Sequence, residues 1–387
     1  MNEGPPPPYG LYLHLPFCRA RCGYCDFAVV TDRDNAQEEY LSRLLNEIRF
    51  WGERIEREPG SLYFGGGTPS RLPLPHWQRL LEALQRWFAF TPEIEITAEG
   101  NPESLSDEVL KGWRALGINR ISVGVQSFQD RFLSLLDRLH SREGALEALD
   151  RIRSARFKNW SLDLIYGLPG QSVADWRRDL AEALRLEPPH LSFYNLILHP
   201  NLPTTQKALA AHTPDHEEIQ SEMFLSAVET LEQAGYSVYE LSNAALPGGE
   251  CRHNLLYWTG GEWIGMGMSG ASRFGGEEFA NPASWETYLN LWETVPSSPP
   301  IRARRPSRES ALLDWVMLRL RTARGFHLRE LEAALGHPPP EAFRSLLADL
   351  DRSGHLRSSG PKVALSPKGW LVHSEITTRI LRVLAIE

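Results

Sequence analysis

Cysteine is scarce in this chain of 387 residues: there are four, and three of them fall within eight positions, 18 to 25. So few, so crowded, make a poor disulfide framework, and in a reducing compartment such clusters point to metal or redox chemistry. Long apolar runs are missing too. No stretch approaches the roughly 18–20 residues needed to cross a bilayer. The opening MNEGPPPPYG offers neither a basic start nor the apolar core of a secretory signal. A cytoplasmic protein with a flexible tail over residues 1–9 is expected. Positive charge is not in excess either, because the net charge is −8. From position 301 onward 15 basic residues face 9 acidic ones, an excess of +6 that leaves −14 on the rest. The body is therefore a poor match for nucleic acid. In the tail, the helical stretch 340–353 carries Glu341, Asp349 and Asp351 against two arginines, not the basic face that base reading needs. No nucleic-acid partner is expected.

Apolar and aromatic residues are plentiful: 42% hydrophobic, with 12 Trp, 15 Phe and 11 Tyr, enough for a well-packed core. The length argues for a large domain with a smaller appendage. Strand-like runs at 11–15, 61–64, 94–99, 119–125, 160–166 and 190–198 alternate with amphipathic stretches at 38–54, 74–88, 107–116, 143–155 and 175–186. That alternation predicts a parallel sheet covered by helices. Polar or reactive residues recur at the ends of successive strands: the cysteines, GGGTPS, Glu99, Gln126, Asp163. This is the pattern of a barrel rim rather than of one switch point. The fold expected is α/β, a partial (β/α)6 TIM-type barrel over residues 10–235. An extension over 236–300 holds a Gly- and aromatic-rich stretch without helical periodicity. After a Pro- and Arg-rich boundary, three helices, a strand-turn-strand segment and a last helix (370–384) suggest a winged-helix-like α+β domain over 301–387, covering the open side of the barrel.

The cysteines stand as C-x3-C-x2-C in LYLHLPFCRARCGYCDF. Thiolates are the soft ligands that iron–sulfur clusters and zinc select. Structural zinc wants four protein ligands, and here only three are close; Cys251 or His14 would have to complete such a site. A cubane held by Cys18, Cys22 and Cys25 instead keeps one iron open to an outside ligand, the amine and carboxylate of S-adenosylmethionine. Gly65-Gly66-Gly67-Thr68-Pro69 then offers backbone that a cosubstrate can approach closely.

With these motifs the chain resembles the radical S-adenosylmethionine superfamily. More narrowly, it is similar to the oxygen-independent coproporphyrinogen III oxidase family and its haem-chaperone branch, from about residue 9 to the C-terminus. The resemblance implies a [4Fe–4S] cluster on Cys18, Cys22 and Cys25. It also implies S-adenosylmethionine contacts from Tyr12, Tyr24, Gly66, Gly67, Thr68, Glu99, Gln126, Arg138 and Asp163. Two features separate the branches. The oxidases carry a further cysteine two positions after the third, where this chain has Phe27. The chaperone branch carries H-N-x-x-Y-W, here His253, Asn254, Tyr257 and Trp258 around Leu255-Leu256. An imidazole can ligate haem iron, and the aromatic faces suit a macrocycle. The segment GMGMSGASRF departs from the family in lacking its histidine, with Ala271 or a neighbour in that place. Cys251 reads as a loop thiol. Implied partners are haem, an acceptor haemoprotein such as a respiratory, membrane-associated one, and an electron donor such as flavodoxin or ferredoxin. The rival readings are a coproporphyrinogen III oxidase and a radical enzyme acting on another substrate.

Overall fold

The computed structural model describes residues 9–197, 199, 200, 202–204, 206, 216–358 and 360–384. The expected tail up to position 8 and the end of the sixth strand at Leu198 lie outside them. Six parallel strands form the heart: β1 (Tyr9–Leu15), β2 (Pro59–Gly66), β3 (Glu95–Gly100), β4 (Arg120–Gln126), β5 (Asn159–Tyr166) and β6 (His190–Asn195), adjacent in that order. The sheet does not stop there. Trp263–Met266 pairs parallel to β1, and an antiparallel hairpin, Ala271–Phe274 with Glu277–Ala280, extends that edge. On the other edge Asn243–Ala245 runs antiparallel to β6, and Ser237–Glu240 pairs antiparallel with it in turn. Among the described residues the result is a partial barrel of eleven strands, open between two hairpin edges.

Alternation along each strand divides the barrel into two environments. Leu11, Leu13, Leu62, Phe64, Ile96, Ile121, Val123, Leu162, Leu164 and Phe193 join the apolar core with the surrounding helices. Phe64, for example, meets Trp77 of helix Leu74–Trp87 edge-on at 4.7 Å, and Trp77 meets Trp113 in turn. The intervening residues form a polar column along the lumen. Tyr12 stacks on Tyr63, Ser122 donates to Asp163, and Ser161 pairs with His190. A barrel lumen is ordinarily packed with branched apolar side chains; a polar one needs every group partnered.

The C-terminal segment forms helices Arg308–Leu320, Leu328–Leu335 and Glu341–Arg352. A three-stranded sheet of Phe326–His327, Lys362–Leu365 and Leu356–Ser358 accompanies them. The last helix expected is broken at Val372 into Pro367–Leu371 and His373–Val383. This segment touches both open edges of the sheet: Thr322 bridges Glu240 on one, Arg304 bridges Glu278 on the other. The stretch read as lacking helical periodicity contains one short helix, Arg252–Trp258. Seven residues are too few to display a period.

Candidate cluster and cofactor cavity

Pro16 ends β1, and Phe17–Cys18 pairs with Val30–Thr31, which pinches the intervening loop at its base. Arg21 staples the loop from within, donating from Nε to Cys25 O (3.1 Å) and from Nη2 to Phe27 O (3.2 Å). Gly23 lies where a Cβ would come within 2.7 Å of the Asp137 and Thr204 side chains, so a larger residue would have to push both aside for the loop to seat there. Cys18, Cys22 and Cys25 thereby face one cavity of about 480 Å³ at the C-terminal ends of the strands. Cys18 Sγ lies 3.5 Å from Thr68 Oγ1, and Arg138 Nη1 donates to Cys22 Sγ at 3.5 Å. Burial pushes the Cys18 thiol up to about 11 and raises that of Cys25. Iron binding would displace these protons.

The donor set fits a three-thiolate cubane better than a single ion. Among the described residues no three Cys, His, Asp or Glu side chains converge on one metal position. A cubane, with a different iron for each thiolate, asks for thiols spread apart. The two candidates for completing a zinc site are engaged elsewhere. Cys251 is buried at the other end of the barrel with Sγ toward Glu95 Oε1 (3.7 Å). His14 has both ring nitrogens taken, by Tyr12 OH at 3.1 Å and Ala28 O at 2.8 Å.

Tyr24, Gly66, Gly67, Thr68, Glu99, Gln126, Arg138 and Asp163 line the same cavity as the cysteines. Arg138 is fixed by Asn101 Oδ1 (2.9 Å) and Gly124 O (2.7 Å), while its Nε is buried without a partner. A fixed guanidinium beside the thiols suits an anionic group such as a carboxylate. Burial pushes Glu99 up to about 7, although Tyr63 OH donates to it at 2.8 Å. Burial likewise raises Asp163, against hydrogen bonds from Ser192 and Ser122. Gln126 sits at φ +70, beside a bulge at Gly124 that turns the strand end into the cavity. The glycine run is required from the protein side. A Cβ on Gly66 (φ +107) would meet the His14 ring at 2.5 Å, and one on Gly67 would meet Pro16 at 2.6 Å. Tyr12 is the exception, standing below the cavity in the lumen with its hydroxyl on His14.

The run His253, Asn254, Tyr257, Trp258 lies far from the thiols, at the N-terminal ends of the strands. His253 is 1% exposed. Its Nδ1 pairs with Ser61 Oγ and its Nε2 with Tyr257 OH, each at 2.8 Å, and its ring stacks on Tyr63 at 5.1 Å. Burial, with the nearby Arg120 cation, depresses its pKa to about 3, so the imidazole is neutral. Glu95 caps the helix, accepting from the backbone N–H of Arg252 (3.1 Å) and His253 (3.0 Å). The Arg321 guanidinium lies 4.3 Å from the centre of the Trp258 ring, tying this foot to the C-terminal segment. The segment acts here as a plug, with both imidazole nitrogens occupied.

Cavity residues that sequence reasoning missed include Asn101 and Ser122, and a rim of Leu139, Tyr194, Ile197 and His199. Asn101 stands beside Glu99 in EGNPE and could have been taken with it; the rim residues follow no motif.

Comparison with known proteins agrees with this architecture. The Radical SAM superfamily model matches residues 12–183, and the HemN C-terminal domain model matches residues 307–372. "Heme chaperone HemW" of Synechocystis sp. is 37% identical over 82% of this chain and 79% of that protein. The protein so named in Lactococcus lactis is 31% identical over 97% of both chains. Coproporphyrinogen III oxidase (HemN) of Escherichia coli superposes with a TM-score of 0.83 at 24% identity, over 98% of this chain and 91% of that one, which establishes the shared fold. The chain belongs to the haem-chaperone HemW family of radical SAM proteins.

Proposed function

We propose that this protein binds haem in the cytoplasm and passes it to an acceptor haemoprotein, with a [4Fe–4S] cluster and S-adenosylmethionine held in the cavity at the barrel mouth. The observation that carries the reading is a cavity that gathers the three cysteines with every expected cosubstrate residue but Tyr12, and whose loop has Phe27 where the porphyrinogen oxidases have their extra cysteine. The relatives that match over most of the chain are named as haem chaperones. The oxidase alternative has only the shared fold behind it.

Cys18, Cys22 and Cys25 would hold the cluster. When bound, it supplies one electron, drawn from a flavodoxin- or ferredoxin-type donor, for reduction of the sulfonium. The chain's own contribution is placement. Arg138 places its guanidinium cation at the cavity wall for a carboxylate, Glu99 and Asp163 offer acceptors to an amine or to ribose hydroxyls, and the Gly66–Gly67 backbone forms the wall between. The run 253–258 closes the foot of the barrel; for His253 to reach iron, it must first leave Ser61 and Tyr257.

The test is direct. Anaerobically reconstituted protein should take up haem with a Soret band and transfer it to an apo-haemoprotein such as apomyoglobin. Given S-adenosylmethionine and reductant, it should fail to convert coproporphyrinogen III at a useful rate. Robust turnover without haem uptake would assign the chain to the oxidases instead.

A further inference from the structure

Large apolar side chains that face water are few among the described residues, and the four most exposed are not scattered. Ile197 (69%), Phe27 (61%), Leu139 (49%) and Tyr194 (40%) all stand on the wall of the cluster cavity. They come from three separate places in the sequence: the cysteine loop, the turn after Arg138, and the end of β6 with the residues just beyond it. No helix or strand period puts them there; the barrel mouth does. Exposed apolar side chains gathered at one mouth mark a surface that a partner covers.

The same rim carries a histidine. His199 is 43% exposed in its side chain, and its Nε2 lies 3.1 Å from Asp26 Oδ2, the carboxylate next to the third cluster cysteine. A carboxylate accepting from one ring nitrogen fixes the tautomer and the orientation of the ring, the arrangement that metal-ligating histidines use. Here Nδ1 is the nitrogen left for a metal. Arg19 and Arg21 border the cavity as well, a pair of cations for an amphiphilic ligand's carboxylates. Flat apolar area, an oriented imidazole and two guanidiniums on one rim match an iron porphyrin with its acidic side chains.

We propose that haem docks at this mouth, its face on Phe27, Leu139, Tyr194 and Ile197 and its iron ligated by His199, rather than at the buried His253. The proposal rests on the haem-chaperone reading and says where on the chain the cargo sits. It gives Phe27 a positive role: the residue in place of a cysteine becomes a wall of the haem seat.

The experiment titrates ferric haem, and separately metal-free protoporphyrin IX, into the full chain with its cluster reconstituted, reading the Soret band and tryptophan quenching. His199→Ala should weaken ferric haem binding about tenfold, roughly the loss of one ligand contact, and shift the Soret band, while protoporphyrin IX binding stays as in wild type. Phe27→Asp should weaken both ligands, since it removes the apolar seat rather than the iron contact. Ile197→Asp repeats that test at a second position, and an unchanged iron content checks that each variant is folded around its cluster. Ferric haem binding indifferent to His199→Ala, or lost with His253→Ala alone, overturns the site. A wild-type chain that takes up no haem overturns the chaperone reading itself, so the two failures are told apart.

Discussion

The two ends of this barrel are built on opposite terms. At the foot, the imidazole, the carboxylate and the thiol that could do chemistry are already engaged. His253 has a hydroxyl on each nitrogen, the Glu95 carboxylate caps a helix, and Cys251 is buried beside it. At the mouth, groups with similar chemistry are left short of partners. Cys18, Cys22 and Cys25 face an open cavity, and its rim carries the most exposed apolar side chains among the described residues. Satisfied polar networks rigidify; unsatisfied groups held in place cost stability and are retained where a ligand completes them. The contrast separates a structural end from a binding end, although the sequence presents both as motifs of comparable distinctness.

The sharpest way to break that contrast is at the mouth. Cys18→Ala should abolish the S-adenosylmethionine-responsive cluster outright, with iron content falling from about four per chain toward zero. The EPR response of the reduced cluster to S-adenosylmethionine should vanish with it; a variant that keeps that response would remove Cys18 from the ligand set. Gly66→Val comes next. Its Cβ is driven into the His14 ring, and its branched side chain must adopt φ +107. S-adenosylmethionine affinity should drop by about 100-fold or more, while the cysteines still assemble a cluster. Cluster loss alongside would mean that the glycine run supports the cysteine loop as a unit through His14.

The foot should answer in stability instead. His253→Ala removes an imidazole stacked on Tyr63 and leaves Ser61 and Tyr257 hydroxyls buried without their partner. A loss of about 2–4 kcal/mol is expected, the range for a buried cavity combined with broken buried hydrogen bonds. Chemical denaturation would measure it. Haem affinity of the folded variant should change little. A His253→Ala protein as stable as wild type but unable to bind haem would reverse the assignment of the two ends.

Much of this was legible in the sequence, for identifiable reasons. The six barrel strands could be read because each alternates between a lumen and a helix-covered face. The cysteine loop could be read because its spacing is a local pattern, and the polar strand ends because they recur after successive strands and share one cavity. Two things escaped. The polar lumen is assembled from single residues on different strands, such as Ser61, Tyr63, Glu95 and His190, whose meeting depends on register and not on local pattern. The position of His253 escaped as well, because a motif states which side chains travel together and not which end of a barrel they close. Tyr12 shows the same limit on a small scale: the motif placed it near the cofactor, and strand alternation turned it into the lumen one layer below.

The smallest effect concerns the wall behind the glycine run. Glu47, on helix Gln37–Gly52, is buried and accepts from Gly267 N–H (2.8 Å), Asn281 Nδ2 (2.6 Å) and Tyr288 OH (2.9 Å). Gly267 in turn packs against His14, whose ring backs Gly66. Burial outweighs these donors and pushes the Glu47 carboxyl up from 4.5 to about 7. The folded state therefore holds this proton more tightly than the unfolded chain does. The stability associated with it is fully present below about pH 4.5, declines as pH rises toward 7, and is gone above that. Glu99, raised to about 7 in the same direction, adds its own slope to the wild-type curve. The difference between wild type and Glu47→Gln isolates one group. Whatever its absolute stability, the glutamine variant should lose less on passing from pH 5 to pH 8, by on the order of 1–3 kcal/mol. Urea midpoints at three or four pH values would show it, and parallel curves for the two proteins would mean that the three donors hold Glu47 ionised throughout. The mouth would then rest on a charged buttress, and its S-adenosylmethionine affinity should not change over that pH range through Glu47.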